Sequence, residues 1–150
     1  MSFSYNVKSE LSHHFGNARH CSIAELAAIL NMCGHIADNH NKFCVKIQTE
    51  NPVAARKYFT LLKKTFNIDS EVLIRRNSQL KKNRIYMLFI NNDEEARRVL
   101  NACGLLYTEN GVEKTARRID RTVVSSVCCK RAYIRGAFLA SGSISDPEKM

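Results

Sequence analysis

Apolar and polar positions in this chain follow two periods that alternate along it. Val7, Leu11 and Phe15 recur at four-residue spacing and predict an opening helix that stops at Gly16. "SIAE", residues 22–25, has the form of a capping box, with Ser22 closing onto the third helical residue and Glu25 reaching back. The run that follows, as far as Gly34, is apolar almost all round, and such a helix has to be buried. Beyond it "HIAD", the turn-rich "NHNK" and the alternating "FCVKIQTE" predict a hairpin. Its Phe43, Val45 and Ile47 share one face, and Cys44, Lys46 and Gln48 the other.

Asn51 and Pro52 stand in the favoured cap and first-turn positions of the next helix. Ala54, Tyr58, Leu61 and Phe66 form its apolar side up to Asn67. A second hairpin pairs "EVLIRR" with "RIYMLFI" across the polar loop "NSQLKKN". Asn92, with Glu95 three residues later, caps a helix that keeps Ala96, Val99, Leu100 and Cys103 together before Gly104. The order from residue 21 is therefore helix, two strands, helix, two strands, helix, with a short helix in front. Helices combined with antiparallel hairpins make the fold class α+β, one sheet with helices on one side. Residues 1–20 form the opening helix and lead-in, 21–104 the repeat unit and 105–127 a basic connector, solvated or lying on a polyanion.

Near the end of the chain a second apolar helix repeats the grammar of the first. With Gly142 set over Gly34, an offset of 108 residues (142 less 34), "LAAILNMCGHI" (26–36) aligns with "IRGAFLASGSI" (134–144). Apolar, small, glycine and isoleucine positions coincide at 26 and 134, 28 and 136, 34 and 142, and 36 and 144. Small residues at Ala27, Ala28, Gly136, Ala137 and Ala140 let two backbones approach, so the two helices are expected to pack side by side. Residues 128–150 then open a second copy of the unit, with a strand starting at Gly142 and most of the copy outside the chain. An isolated chain of this kind is expected to behave poorly as a monomer, because Tyr133 to Ala140 lack half of their second-repeat core.

Composition narrows the function. The chain has 150 residues, 45% apolar and 8% aromatic, enough for one domain with a core and unlike a disordered segment. The longest apolar runs, Ile23 to Cys33 and Tyr133 to Ala140, are too short to span a membrane and lack the flanks of a signal peptide, which points to the cytoplasm and away from membranes. Six cysteines without a CxxC pair read as reduced core thiols, and His13, His14, His20, His35 and His40 form no ligand spacing with them, so no metal or other cofactor is assigned. A formal charge of +9 favours polyanions, nucleic acid above all. The basic pairs Lys63-Lys64, Arg75-Arg76, Lys81-Lys82, Arg97-Arg98, Arg117-Arg118 and Lys130-Arg131 are each an ordinary solvated pair; their recurrence is what counts.

The two motif helices resemble those of the LAGLIDADG homing endonucleases. The segments "MSFSYNVKSEL", "ARHCSIAELAAILNMCGHI" and "CCKRAYIRGAFLASGSISDPEK", in that order, resemble more closely the N-terminal region of the WhiA family of bacterial regulators. The resemblance implies αββαββα repeats whose antiparallel sheet sits as a saddle over DNA, with the second repeat truncated here. It also implies a role in sporulation and cell division, and a helix-turn-helix domain beyond the chain. In the endonucleases the penultimate residue of each motif is a metal-holding acid; here those positions are Cys33 and Ser141. A thiol and a neutral hydroxyl are poor ligands for Mg²⁺, so the chain is expected not to be an enzyme. Asp38 and Asp146, four residues past each motif glycine, lie roughly 13 Å from the helix ends at about 3.3 Å per extended residue, and read as turn or strand-end residues.

If the sheet keeps its saddle role, the DNA-binding candidates are Lys46 and Gln48 on one strand, Arg75 on another, and Arg84 and Tyr86 on a third. Arg117, Arg118 and Arg121 rank behind them. Two alternatives remain open: an interaction scaffold that binds other proteins or the domain beyond this chain, and a residual endonuclease using Asp38 or Asp146.

Overall fold

A computed structural model of the chain describes residues 2–16, 18–76 and 84–149. The elements run α1 (Phe3–Ser12), α2 (Arg19–Cys33), β1 (Gly34–Asn39), β2 (Lys42–Thr49), α3 (Pro52–Phe66), β3 (Glu71–Arg76), β4 (Arg84–Ile90), α4 (Asp93–Ala102), β5 (Leu106–Glu109), β6 (Val112–Thr115) and α5 (Val127–Ser141). From α2 to α4 the order is the expected αββαββα. Strands β1, β2, β4 and β3 form one antiparallel sheet in that spatial order, and β5 and β6 form a separate hairpin. One sheet was expected; the second arises inside the supposed connector, where Asn110 and Gly111, both at positive φ, make the turn. The loop "NSQLKKN" and its Lys81-Lys82 pair lie outside the described residues.

The core forms where the apolar face of the sheet meets the helices. Phe43, Val45 and Ile47 from β2 and Leu88 and Ile90 from β4 are buried with Tyr58, Leu61 and Leu62 of α3 and Val99 and Leu100 of α4. Helix α2 is buried along its middle, Ala24 to Leu30, as its all-round apolarity requires. Asn51 caps α3 through hydrogen bonds from the Val53 and Ala54 amides, and Asn67 closes it in the left-handed conformation. Asn92 caps α4 through the Glu95 amide.

Helices α2 and α5 pack side by side. A methyl group at Gly136 would lie 2.4 Å from the Glu25 carbonyl oxygen and 3.1 Å from the Ala28 Cβ, so glycine is what lets the backbones meet. At Gly34 a Cβ would meet the Leu30 carbonyl oxygen at 2.6 Å, and at Gly142 the Phe138 ring at 2.4 Å. Each chain segment thus turns out of its helix close over the last turn. Gly34 goes straight into β1, which pairs with β2. The strand expected at Gly142 does not form: its backbone is extended, but residues 143–146 have no strand partner among the described residues. On α5, Ile134 is left 68% exposed.

Two expected helix ends move for one reason. Helix α2 starts at Arg19 with Ala18 as its cap, so Ser22 lies inside the helix and "SIAE" is no capping box. Glu25 is instead 1% exposed, with Oε2 2.6 Å from Lys57 Nζ and Oε1 accepting from Arg135 Nε at 2.7 Å. Lys57 also donates to the Leu11 and His14 carbonyls at 2.9 and 2.6 Å, which ends α1 at Ser12, short of Gly16. Burial pulls the Lys57 ammonium below its ordinary value, and Glu25 opposes that. Replacing Glu25 by Gln leaves Lys57 buried without its counter-charge, and chemical denaturation of Glu25→Gln is expected to show a loss of about 3–5 kcal/mol.

Candidate nucleic-acid interface

Strand pairing decides which side chains can face a ligand, because directly paired residues lie on one side of a sheet. Val45, Ile47, Leu88 and Ile90 mark the buried side. The opposite side carries His35, Lys46, Phe89 and Glu71 in one row across the four strands. The next row carries Gln48, Met87 and Leu73, and the last Ile85 and Arg75. Lys46, Gln48 and Arg75 therefore share the outward face, as expected from the sequence. His35 joins them; its signal was the "GHI" step, in which Ile36 points inward beside Val45.

Arg84 and Tyr86 do not share that face. Their register puts them with Leu88 and Ile90, and Tyr86 packs against the core. The cause is in the strand itself: "RIYMLFI" is apolar at every position from 85 to 90, so alternation gives no phase, and pairing with β2 supplies it. Arg84 is exposed at the strand end, opposite Arg76. Edge strand β3 is exposed along its whole length.

Several basic residues have structural tasks. Arg117 donates to the carbonyls of Leu30, Asn31 (2.6 Å) and Gly34, closing the C-terminal end of α2. Arg118 donates to the Gly104 carbonyl at 3.0 Å and lies over the Tyr107 ring at 5.2 Å. These two hold the connector against the domain while staying exposed, and Arg121 is exposed as well. Arg97 pairs with Asp93 and Glu113, and Arg98 donates to the Phe66 carbonyl at 3.3 Å.

At the motif helix ends, the positions of the endonuclease acids hold a half-buried thiol, Cys33, and an exposed hydroxyl, Ser141, which bonds back to the Ala137 carbonyl. Burial pushes the Cys33 thiol up to about 11, so it stays protonated at neutral pH. These groups do not suit a hard Mg²⁺ ion. Asp38 accepts the Asn41 amide at 3.1 Å across the β1–β2 turn, and Asp146 the Glu148 amide at 2.9 Å. Both carboxylates serve turns.

The model of the WhiA N-terminal LAGLIDADG-like domain matches residues 19–106, more than half of the chain, and that of the WhiA LAGLIDADG-like domain matches residues 130–150. The chain belongs to the WhiA family. It is 47% identical to a probable cell division protein WhiA of Lachnoclostridium phytofermentans, covering 99% of this chain and 48% of that protein. It is 43% identical to the corresponding protein of Alkaliphilus metalliredigens, covering 99% and 47%. The chain thus spans about half the length of these WhiA relatives. The crystal structure of full-length WhiA from Thermatoga maritima superposes with TM-score 0.66 at 20% identity, covering 98% of this chain and 42% of that one. The N-terminal LAGLIDADG domain of WhiA superposes with TM-score 0.67 at 19% identity, covering 98% and 62%. The fold is the LAGLIDADG-like α+β fold.

The fold also brings His20, Cys21, Cys128 and Cys129 together, with one ligand atom of each within 4.8 Å of the others. Sequence spacing gave no ligand set for the cysteines and histidines, and packing is what brings these four together. Short-range spacing missed it because the two pairs come from opposite ends of the chain.

Arg117→Ala is expected to cost about 1.5–3 kcal/mol, the range for hydrogen bonds from a charged donor, in a denaturant titration. Its DNA affinity at a given salt concentration should stay near that of the parent chain.

Proposed function

We propose that the chain is a non-catalytic, DNA-contacting domain of a cytoplasmic WhiA-type transcription regulator acting in sporulation and cell division. In this reading residues 21–104 are the first repeat, 105–127 the link, and 128–150 the start of a second repeat that continues outside the chain. One juxtaposition carries it: the motif ends hold Cys33 and Ser141 where the endonucleases keep acids, while the outward sheet face retains Lys46, Gln48 and Arg75. The thiol and hydroxyl at the motif ends argue against cutting, and the lysine and arginine on the sheet support a role in holding a phosphate backbone. Lysine and arginine neutralise phosphates, and glutamine offers the donor–acceptor pair that matches an adenine edge. The relatives' name, probable cell division protein, agrees with the biological setting.

An interaction scaffold is the second reading. It is favoured by the apolar residues on the same face, Leu73 at 56% exposure among them.

Fluorescence anisotropy against a random-sequence duplex across a salt series separates the two. Under the DNA reading, affinity falls steeply with salt, and Lys46→Glu with Arg75→Glu lowers the log–log slope by about 0.9 for each phosphate contact removed. Salt-independent or absent binding by a folded chain supports the scaffold. Incubation with Mg²⁺ or Mn²⁺ is expected to leave the duplex uncut.

A further inference from the structure

The four residues His20, Cys21, Cys128 and Cys129 have no part in the DNA reading. They sit in the first turns of α2 and α5, at the opposite helix ends from Cys33 and Ser141. Cys128 and Cys129 follow His20 and Cys21 by 108 residues, the same offset that sets Gly142 over Gly34. The cluster is therefore two equivalent pairs brought face to face by the packing of the two motif helices.

Its geometry is that of a small coordination sphere. His20 Nδ1 lies 3.0 Å from Cys129 Sγ, 3.6 Å from Cys21 Sγ and 4.0 Å from Cys128 Sγ. A tetrahedral zinc with Zn–S of about 2.3 Å and Zn–N of about 2.0–2.1 Å has N···S edges of roughly 3.5 Å, inside that spread. Cys21 and Cys129 are buried and His20 and Cys128 exposed, so the sphere opens to solvent on one side, an entry path for an ion.

All four residues lie in the first turns of α2 and α5, beside the positive ends of the two helix dipoles. Ala18 caps α2 without a side-chain hydrogen bond. Ser126 Oγ lies 3.1 Å from Cys128 Sγ and accepts the Cys129 amide at 3.4 Å, a partner that fixes the ligand helix from outside the sphere. Arg131 and Arg135 line the shallow cleft beside the cluster, and with Arg135 paired to Glu25, Arg131 is the cation placed to offset the negative charge of three thiolates around a divalent ion.

We infer that His20, Cys21, Cys128 and Cys129 form a Cys₃His site for one structural zinc ion that joins the N-terminal ends of α2 and α5. Soft thiolates with an imidazole in a tetrahedral set select zinc over the hard Mg²⁺ of the endonucleases. All four positions are filled by protein, which makes the site a clamp, with no open position for catalysis. The clamp closes a loop of more than a hundred residues between the two motif helices, so it acts where chain entropy is large.

The test uses the whole 150-residue chain, purified under reducing conditions and then freed of excess reductant. Elemental analysis is expected to find one zinc per chain. Cobalt exchanged into the site should give the intense visible bands of a tetrahedral ion with thiolate charge transfer in the near ultraviolet. Cys128→Ser and His20→Ala, both at exposed ligands, should weaken cobalt binding by about 100-fold or more, since loss of an outer-shell partner alone costs 10–100-fold. Cys44→Ser should retain full binding. Chelation should lower the melting temperature of the parent chain and of Cys44→Ser, and leave that of the double variant His20→Ala/Cys128→Ser unchanged. A folded, fully reduced parent chain that takes up neither zinc nor cobalt overturns the site. So does equal uptake by the double variant, or recovery of a Cys21–Cys128 or Cys21–Cys129 disulfide from reducing purification in place of the metal.

Discussion

One buried carboxylate ties the helical layer together. Glu25 is on α2, its partners Lys57 and Arg135 are on α3 and α5, and Lys57 reaches on to the carbonyls where α1 ends. Four helices are thereby joined at one point that water does not reach. A buried ion network of this kind is not a large net source of stability, because taking the charges out of water costs about as much as their attraction returns. Removing one partner, by contrast, leaves a charge buried and alone. The close approach at Gly136 against the Glu25 carbonyl depends on the same register.

The paired helices α2 and α5 have different chemistry at their two ends. At the C-terminal ends, where the endonucleases bind metal, the chain has a protonated thiol and a hydroxyl, and the carbonyls of α2 are taken by Arg117. At the N-terminal ends, two equivalent pairs of soft ligands meet. Side-by-side packing of α2 and α5 at the 108-residue offset brings residues 20 and 21 beside 128 and 129.

Net positive charge proved a coarse guide to the binding face. Arg97, Arg98, Arg117 and Arg118 are tied to carbonyls, carboxylates or rings of the fold. Arginine suits such work because its fork satisfies several acceptors while its plane stacks on an aromatic ring. The outward sheet face itself carries a smaller set, Lys46, Gln48 and Arg75 with His35, interleaved with apolar side chains and one acid, Glu71.

Local patterns determined most of the fold. Strict alternation in β2, the Asn-Pro start of α3, the Asn92 cap and the all-round apolarity of α2 are each short-range signals with one structural solution, and the α+β order was legible from them. Tertiary structure decided what local pattern leaves open. Strand β4 is apolar on both faces, so only its pairing with β2 could phase Tyr86 inward and take Arg84 off the outward face. Glu25 has the spacing of a capping residue, yet the packing of α2 against α3 and α5 put it in the core beside two cationic partners. The cluster of His20, Cys21, Cys128 and Cys129 exists only because two helices far apart in sequence pack with their first turns together. Sequence periodicity reports the environment of a single element; which distant groups meet is set by how the elements pack.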